Sequence, residues 1–171
     1  MAVADFKAAL ARFCSGVTVI TAIADGEPVG FSCQSFSSLS LDPPYVCFCP
    51  ARTSSSWPRI RDAGTLCVNI LAEDQEELCM RFATRGADKF AGIDWEPGVN
   101  GAPRLEGGIA ALECSVEREV DGGDHTIVIA QVTSLALQRE VAPLLFFRSS
   151  FATLEVPQPV RQVSISPADW F

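Results

Sequence analysis

Five serines crowd one short stretch of the chain, Ser32, Ser35, Ser37, Ser38 and Ser40, and three more, Ser54, Ser55 and Ser56, stand directly before Trp57-Pro58. Hydroxyls beside the free amides of a helix start can hold an anion such as phosphate without net positive charge, and proline is well tolerated in a first helical turn. Arg52 and Lys89 are the cations that would add charge to such a site. The same serines also read as turn and capping residues, and their spacing alone does not separate the two readings. The only histidine, His125, stands between a Gly122-Gly123-Asp124 turn and the apolar run Ile127-Val128-Ile129-Ala130. An imidazole that begins a strand beside a flexible turn can face a pocket mouth and donate a hydrogen bond or adjust charge near neutral pH. A histidine satisfied within the fold is the other reading.

Several chemistries lack their signature. The twelve glycines never fall in the G-x-G-x-x-G spacing after a strand, and no G-x-x-x-x-G-K-[ST] loop or G-x-S-x-G elbow occurs. A hydrolase would have to run on His125 alone, with no nucleophile marked for it. The seven cysteines are odd in number, and Cys14, Cys33, Cys47, Cys67 and Cys114 sit in apolar runs, which suits a reducing cytoplasm better than a disulfide framework. Cys47 and Cys49 are two apart and His125 is remote from both, so no metal site is expected.

The elements that must position these side chains follow from periodicity. Phe6, Leu10 and Phe13 put three apolar groups on one face of a short opening helix, whose expected use is docking. Gly16 to Ala24 is rich in β-branched residues, Asp25-Gly26 is a two-residue hairpin signal, and Val29 to Phe36 can return alongside. Asp42-Pro43-Pro44 stops the chain before a strand from Tyr45 to Cys49. A helix is predicted from Pro58 to Asp62, a strand from Leu66 to Leu71 and a helix from Gln75 to Phe82. Thr84 to Pro103, rich in Gly, Asp, Lys and Pro, reads as a long surface excursion of the kind that is often functional. Ala110 to Val120 alternates as a strand with one wet face. Thr126 to Leu137 is apolar at both parities and should be covered on both sides, by core and by a helix or second subunit. Many closely spaced strands with few helices favour a closed antiparallel barrel with helices outside.

At 171 residues the chain has the size of one domain, with 48% hydrophobic residues to build a core. A net charge of −8 and the absence of basic runs argue against nucleic acid, and no apolar stretch approaches the length a membrane helix needs. The N-terminus lacks the order of a signal peptide, so a cytoplasmic location is expected.

The succession Phe13-Cys-Ser-Gly16-Val-Thr-Val-Ile-Thr21, Gly30-Phe-Ser-Cys-Gln-Ser-Phe36, Ser38-Leu-Ser-Leu-Asp-Pro-Pro44, Lys89-Phe-Ala-Gly-Ile-Asp-Trp95, Gly122-Gly-Asp-His125 and Pro143-Leu-Leu-Phe-Phe-Arg148 resembles the flavin reductase family. It is most similar to the reductase partners of two-component flavin monooxygenases of the steroid or phenol hydroxylase type. The resemblance implies a mainly β fold with peripheral helices, a split β-barrel forming a homodimer. It implies one reductase domain over 1–155 and an extended tail over 156–171. It also implies binding of FAD or FMN, hydride uptake from NADH or NADPH, and release of reduced flavin to a separate monooxygenase. By motif position Gln34, Ser35, Phe36, Ser38 and Ser40 would line the isoalloxazine and ribityl groups. Ser54, Ser55 and Ser56, with Arg52, would meet phosphate, Lys89 and Phe90 would close the site, and His125 would act on the nicotinamide side. Phe146-Phe147 and Ser149-Ser150 stand where the family often has Tyr and Gly. Two other readings remain on this barrel: a flavin- or haem-binding module without turnover, and a pyridoxamine-phosphate-type oxidase.

Overall fold

The computed structural model describes residues 1–86 and 88–155. The tail expected over 156–171 lies outside the described residues. In chain order the elements are α1 (Val3–Leu10), β1 (Ser15–Gly16), β2 (Thr18–Ala24), β3 (Glu27–Cys33), β4 (Ser37–Leu41), β5 (Pro44–Phe48), α2 (Trp57–Ala63), β6 (Thr65–Ile70), α3 (Glu76–Ala83), β7 (Trp95–Pro97), β8 (Pro103–Leu105), β9 (Ala110–Gly122), β10 (His125–Leu137), β11 (Leu145–Phe147) and β12 (Ser150–Ala152).

Seven strands form one antiparallel sheet in the order β3-β2-β6-β9-β10-β5-β4. Its two edge strands are neighbours in sequence, joined only by Gln34, Ser35 and Phe36, so the sheet must curl until its edges approach. This is a split barrel, mainly β with its helices outside, as expected. Ser35 stitches the split. Its hydroxyl accepts from the Cys49 amide at 2.8 Å and faces the Cys49 carbonyl at 3.2 Å and the Cys33 thiol at 3.3 Å.

The hairpin of β2 and β3 turns at Asp25 and Gly26, with φ of 55° and 80°. Such left-handed pairs match the twist of flanking strands. Strand β2 is buried on both faces because two cores meet across it. On one side Ile20, Ala22, Phe48, Trp57, Ile60, Leu66 and Val68 fill the barrel, with Trp57 edge-on to Phe48 at 5.5 Å. On the other, Val17, Val19, Leu71, Phe82, Leu105 and Leu144 pack under α3.

The structure adds detail to four of these readings. Ser37 to Leu41 is an edge strand rather than a turn-forming hydroxyl cluster, and it pairs with β5 through Ser38↔Val46 and Ser40↔Tyr45. The stretch from Thr84 to Pro103 is fastened to the barrel: Ile93 and Trp95 pack against the second core, and Ala102 is buried. Within this chain strand β10 is covered on one face, with Val128 and Ala130 inside and Ile127, Leu135 and Leu137 exposed, so no described element of the chain itself supplies the second cover. The apolar face of α1 is bare within this chain, Phe6, Leu10 and Phe13 being exposed.

A buried polar seam does the fastening. The Asn69 amide nitrogen donates to the Val19 carbonyl at 3.1 Å and the Thr21 hydroxyl at 3.0 Å, and its oxygen accepts from the Leu105 amide at 2.8 Å. Replacing Asn69 by alanine strands these buried groups, at a cost of about 2–4 kcal/mol. The check is urea unfolding, with a lower midpoint at unchanged slope.

Candidate active site

The split edge of the barrel opens into a cavity of about 880 Å³. The link between β3 and β4 supplies Gln34, Ser35 and Phe36, β3 supplies Phe31, Ser32 and Cys33, and the chain after β5 supplies Cys49 and Ala51. Ser54 and His125 complete one wall, and Leu10, Phe13 and Cys14 stand at the N-terminal side. The fold therefore brings together five of the residues expected at the site: Gln34, Ser35, Phe36, Ser54 and His125. Three phenylalanines among hydroxyls, thiols and backbone give flat apolar surface with dispersed polar groups, a composition suited to a planar heteroaromatic ligand.

Ser55, Ser56, Lys89 and Phe90 line a second hollow of about 400 Å³. It adjoins the first across a single residue step on two walls, between Ser54 and Ser55 and between Phe31 and Gly30. Arg59 also lines it, one helical turn beyond Ser55 and Ser56. Lys89 Nζ donates to the Gly30 carbonyl at 3.0 Å and the Phe82 carbonyl at 2.9 Å, which leaves one of its three protons uncommitted. Burial pushes its ammonium below the usual lysine range. The hollow thus gathers two cations, Arg59 and Lys89, with one carboxylate, Asp88, in a chain of net charge −8.

Of the expected residues Ser38, Ser40 and Arg52 line neither space, and several of the others are engaged within the fold. Ser38 and Ser40 lie on β4, outside the wall of either space, because the strand carries them away from the split. Ser54 Oγ accepts from the Trp57 amide at 3.1 Å, a cap on the first turn of α2. Ser56 is buried and donates to the Gly30 carbonyl at 3.1 Å, so of the three serines Ser55 is the one whose hydroxyl no bond within the described residues claims. Phe90 packs edge-on to Phe82 at 5.0 Å and belongs with the second core. Arg52 is turned toward the chain's own β9–β10 turn, with Nε on the Gly123 carbonyl at 2.7 Å and Nη2 on Asp121 at 2.9 Å.

His125 begins β10 at the cavity wall, half-exposed, with Nδ1 at 2.8 Å from Asp124 Oδ1. A carboxylate can only accept, so Nδ1 carries the proton of this bond and Nε2 is left to a ligand. The imidazole beside it holds the Asp124 carboxyl below the usual carboxylate range.

Phe31, Cys49 and Arg59 were not singled out as site residues from the sequence, and Ser32 was named only as part of the serine cluster. For Arg59 a signal existed: i+4 from Ser55 and i+3 from Ser56 put it on the same side of a helix that was expected there.

Comparison with known proteins adds three kinds of likeness. Residues 10–155 match the model of the flavin reductase like domain. The reductase subunit HsaB of a flavin-dependent monooxygenase from Rhodococcus jostii is 50% identical over 165 residues, spanning 96% of this chain and 82% of that protein. Among solved structures, nitrilotriacetate monooxygenase component B from Mycobacterium thermoresistibile superimposes with a TM-score of 0.93 at 44% identity, covering 98% of this chain and 95% of the other. An NADH:FAD oxidoreductase, SgcE6 of Streptomyces globisporus, solved with NAD and FAD fragments, gives 0.85 at 32% identity, covering 91% and 94%.

Proposed function

Since the chain belongs to the flavin reductase like domain family, we propose that it is an NADH-dependent flavin reductase that supplies reduced FAD or FMN to a separate monooxygenase. The observation that carries this reading is the pair of adjoining spaces at the split of the barrel, one aromatic and hydroxyl-lined, the other cationic. Together they match the two ends of a flavin nucleotide. The isoalloxazine would lie in the larger cavity against Phe31 and Phe36. The ribityl chain would pass over Ser54 to Ser56, and the phosphate would meet Ser55, Arg59 and Lys89. This arrangement moves the phosphate contacts away from Arg52 and Ser56, whose polar groups are engaged within the fold.

The reaction is hydride transfer from nicotinamide C4 to flavin N5, chemistry that the two nucleotides bring with them. The chain's own contribution is to hold both rings in one cleft, to exclude water with Phe13, Phe31 and Phe36, and to present His125 at its rim. The bare apolar face of α1 and the exposed Leu135 and Leu137 of β10 support a homodimer, and a free chain in the cytoplasm accords with seven unpaired thiols.

Anaerobic mixing of the protein with NADH and excess FAD or FMN should bleach the flavin, and failure with both flavins refutes the proposal. Arg59→Ala should raise the Michaelis constant for FMN about tenfold, as loss of a charged contact does, with little effect on riboflavin, which has no phosphate. Equal effects on the two flavins would remove the phosphate from this hollow.

A further inference from the structure

Arg52 was a candidate for holding phosphate, but every polar contact it makes goes to the turn that carries His125. Its backbone amide donates to the Asp124 carbonyl at 3.0 Å, Nε donates to the Gly123 carbonyl at 2.7 Å, and Nη2 meets Asp121 Oδ2 at 2.9 Å. The other oxygen of Asp121 accepts from the Gly123 amide at 2.8 Å, which closes a ring of bonds around the turn. Immediately before Arg52 the same two segments are zipped together, by the bridge between Ala51 and His125 and by the Thr126 amide on the Pro50 carbonyl at 3.0 Å.

An ion pair as exposed as this one, with the two side chains 51% and 77% accessible, adds little to stability. What it supplies is registry. Backbone pairing fixes the path of β10 at His125, while the guanidinium adds a restraint on the turn itself, where Gly123 occupies a left-handed conformation with φ of 82°. A planar guanidinium bridges a carbonyl and a carboxylate in fixed geometry, which an ammonium cannot do.

Resting on the reductase reading above, we propose that Arg52 and Asp121 form a clamp that positions His125 at the cavity rim, with Asp124 fixing the orientation of the ring. Arg52 is then a positioning residue that acts through His125, and it makes no contact with the flavin phosphate.

The chain's single histidine makes this testable without any ligand, because tag-free protein gives one imidazole signal in an NMR spectrum. Arg52→Met should shift and broaden that signal, and Asp121→Asn should do the same. In steady-state reduction, Arg52→Met should lower kcat/KM for NADH about 5 to 10-fold, the scale of a modest misplacement of a reacting group, equally with riboflavin and FMN. Arg52→Lys, which can reach only one of the two acceptors, should recover part of the loss. Combined with Asp121→Asn the effect should not grow, and in a His125→Ala background Arg52→Met should change nothing further.

A loss confined to FMN would make Arg52 a phosphate ligand and overturn the proposal. An unchanged imidazole signal, or full additivity with His125→Ala, would overturn it equally. Should the wild-type protein reduce no flavin, the reductase reading fails while the NMR comparison still decides whether the clamp exists.

Discussion

In a His125→Ala variant, kcat/KM for NADH in flavin reduction is expected to fall about 10 to 100-fold, equivalent to ~1.4–2.7 kcal/mol of barrier. The reasoning starts from geometry. The imidazole is half-exposed at the wall of the large cavity, Nδ1 is held by Asp124, and Nε2 is the polar atom it can present to a bound nicotinamide or to a flavin that has gained negative charge. Because the reacting atoms belong to the nucleotides, no side chain is indispensable, which caps the loss well below that of a missing nucleophile. The fold should be unaffected, since an exposed pair of this kind contributes little to stability. Stopped-flow reduction at several NADH concentrations separates the binding and rate components. If neither the Michaelis constant nor the turnover changes, His125 has no part in the reaction.

The second large effect is on stability. Gly30 lies in β3 where a side chain would have no room: an added Cβ would fall 2.8 Å from the Ile20 carbonyl oxygen and 2.8 Å from a ring carbon of Phe82. The first contact is with backbone inside the sheet and cannot yield by a rotamer change. The Gly30 carbonyl also receives both Ser56 Oγ and Lys89 Nζ, so displacing the strand disturbs the cationic hollow as well. Gly30→Ala is therefore expected to cost about 3 kcal/mol, at the upper end of overpacking penalties. Urea unfolding reads this as a lower midpoint with unchanged slope. A second change, Phe82→Leu, should recover only part of the loss, because the backbone clash remains. Full recovery would show that the aromatic ring alone set the limit.

The β2–β3 hairpin was legible in the sequence because β-branched density and an Asp-Gly turn are local signals, and the same holds for α2, where Trp57-Pro58 follows the serines. Strand β4 was not. Ser-Leu alternation carries little β propensity, and what makes it a strand is pairing to β5 across the cis Asp42–Pro43 turn. Likewise β11 and β12 are three residues each, below the length at which periodicity speaks, and they form only because β1 offers an edge to pair with.

The site divides the same way. Gln34, Ser35, Phe36, Ser54 and His125 converge because the link at the barrel's split and the start of β10 were both visible in the chain. The charge of Arg52 is plain in the sequence, whereas the turn some 70 residues later to which it is bonded is set by tertiary structure alone. The excursion from Thr84 to Pro103 runs largely at the surface, but its anchors are likewise set by tertiary structure. Its polar composition suggested solvent, and it is anchored by residues buried on the outer face of the barrel wall, Asn69 Nδ2 lying 3.5 Å from the Pro103 carbonyl and Glu113 Oε2 accepting from the Asn100 amide at 2.8 Å.

Strand β2, bonded to a neighbour along each side and roofed on each face, leaves the molecule no line along which it can come apart in stages. Peeling away the layer beneath α3 uncovers Val19, and opening the barrel uncovers Ile20 and Ala22, the first of them the very next residue in the same seven-residue strand. Partial melting is therefore penalised from both directions. The amides of this strand are expected to trade their protons with water only when the whole chain lets go.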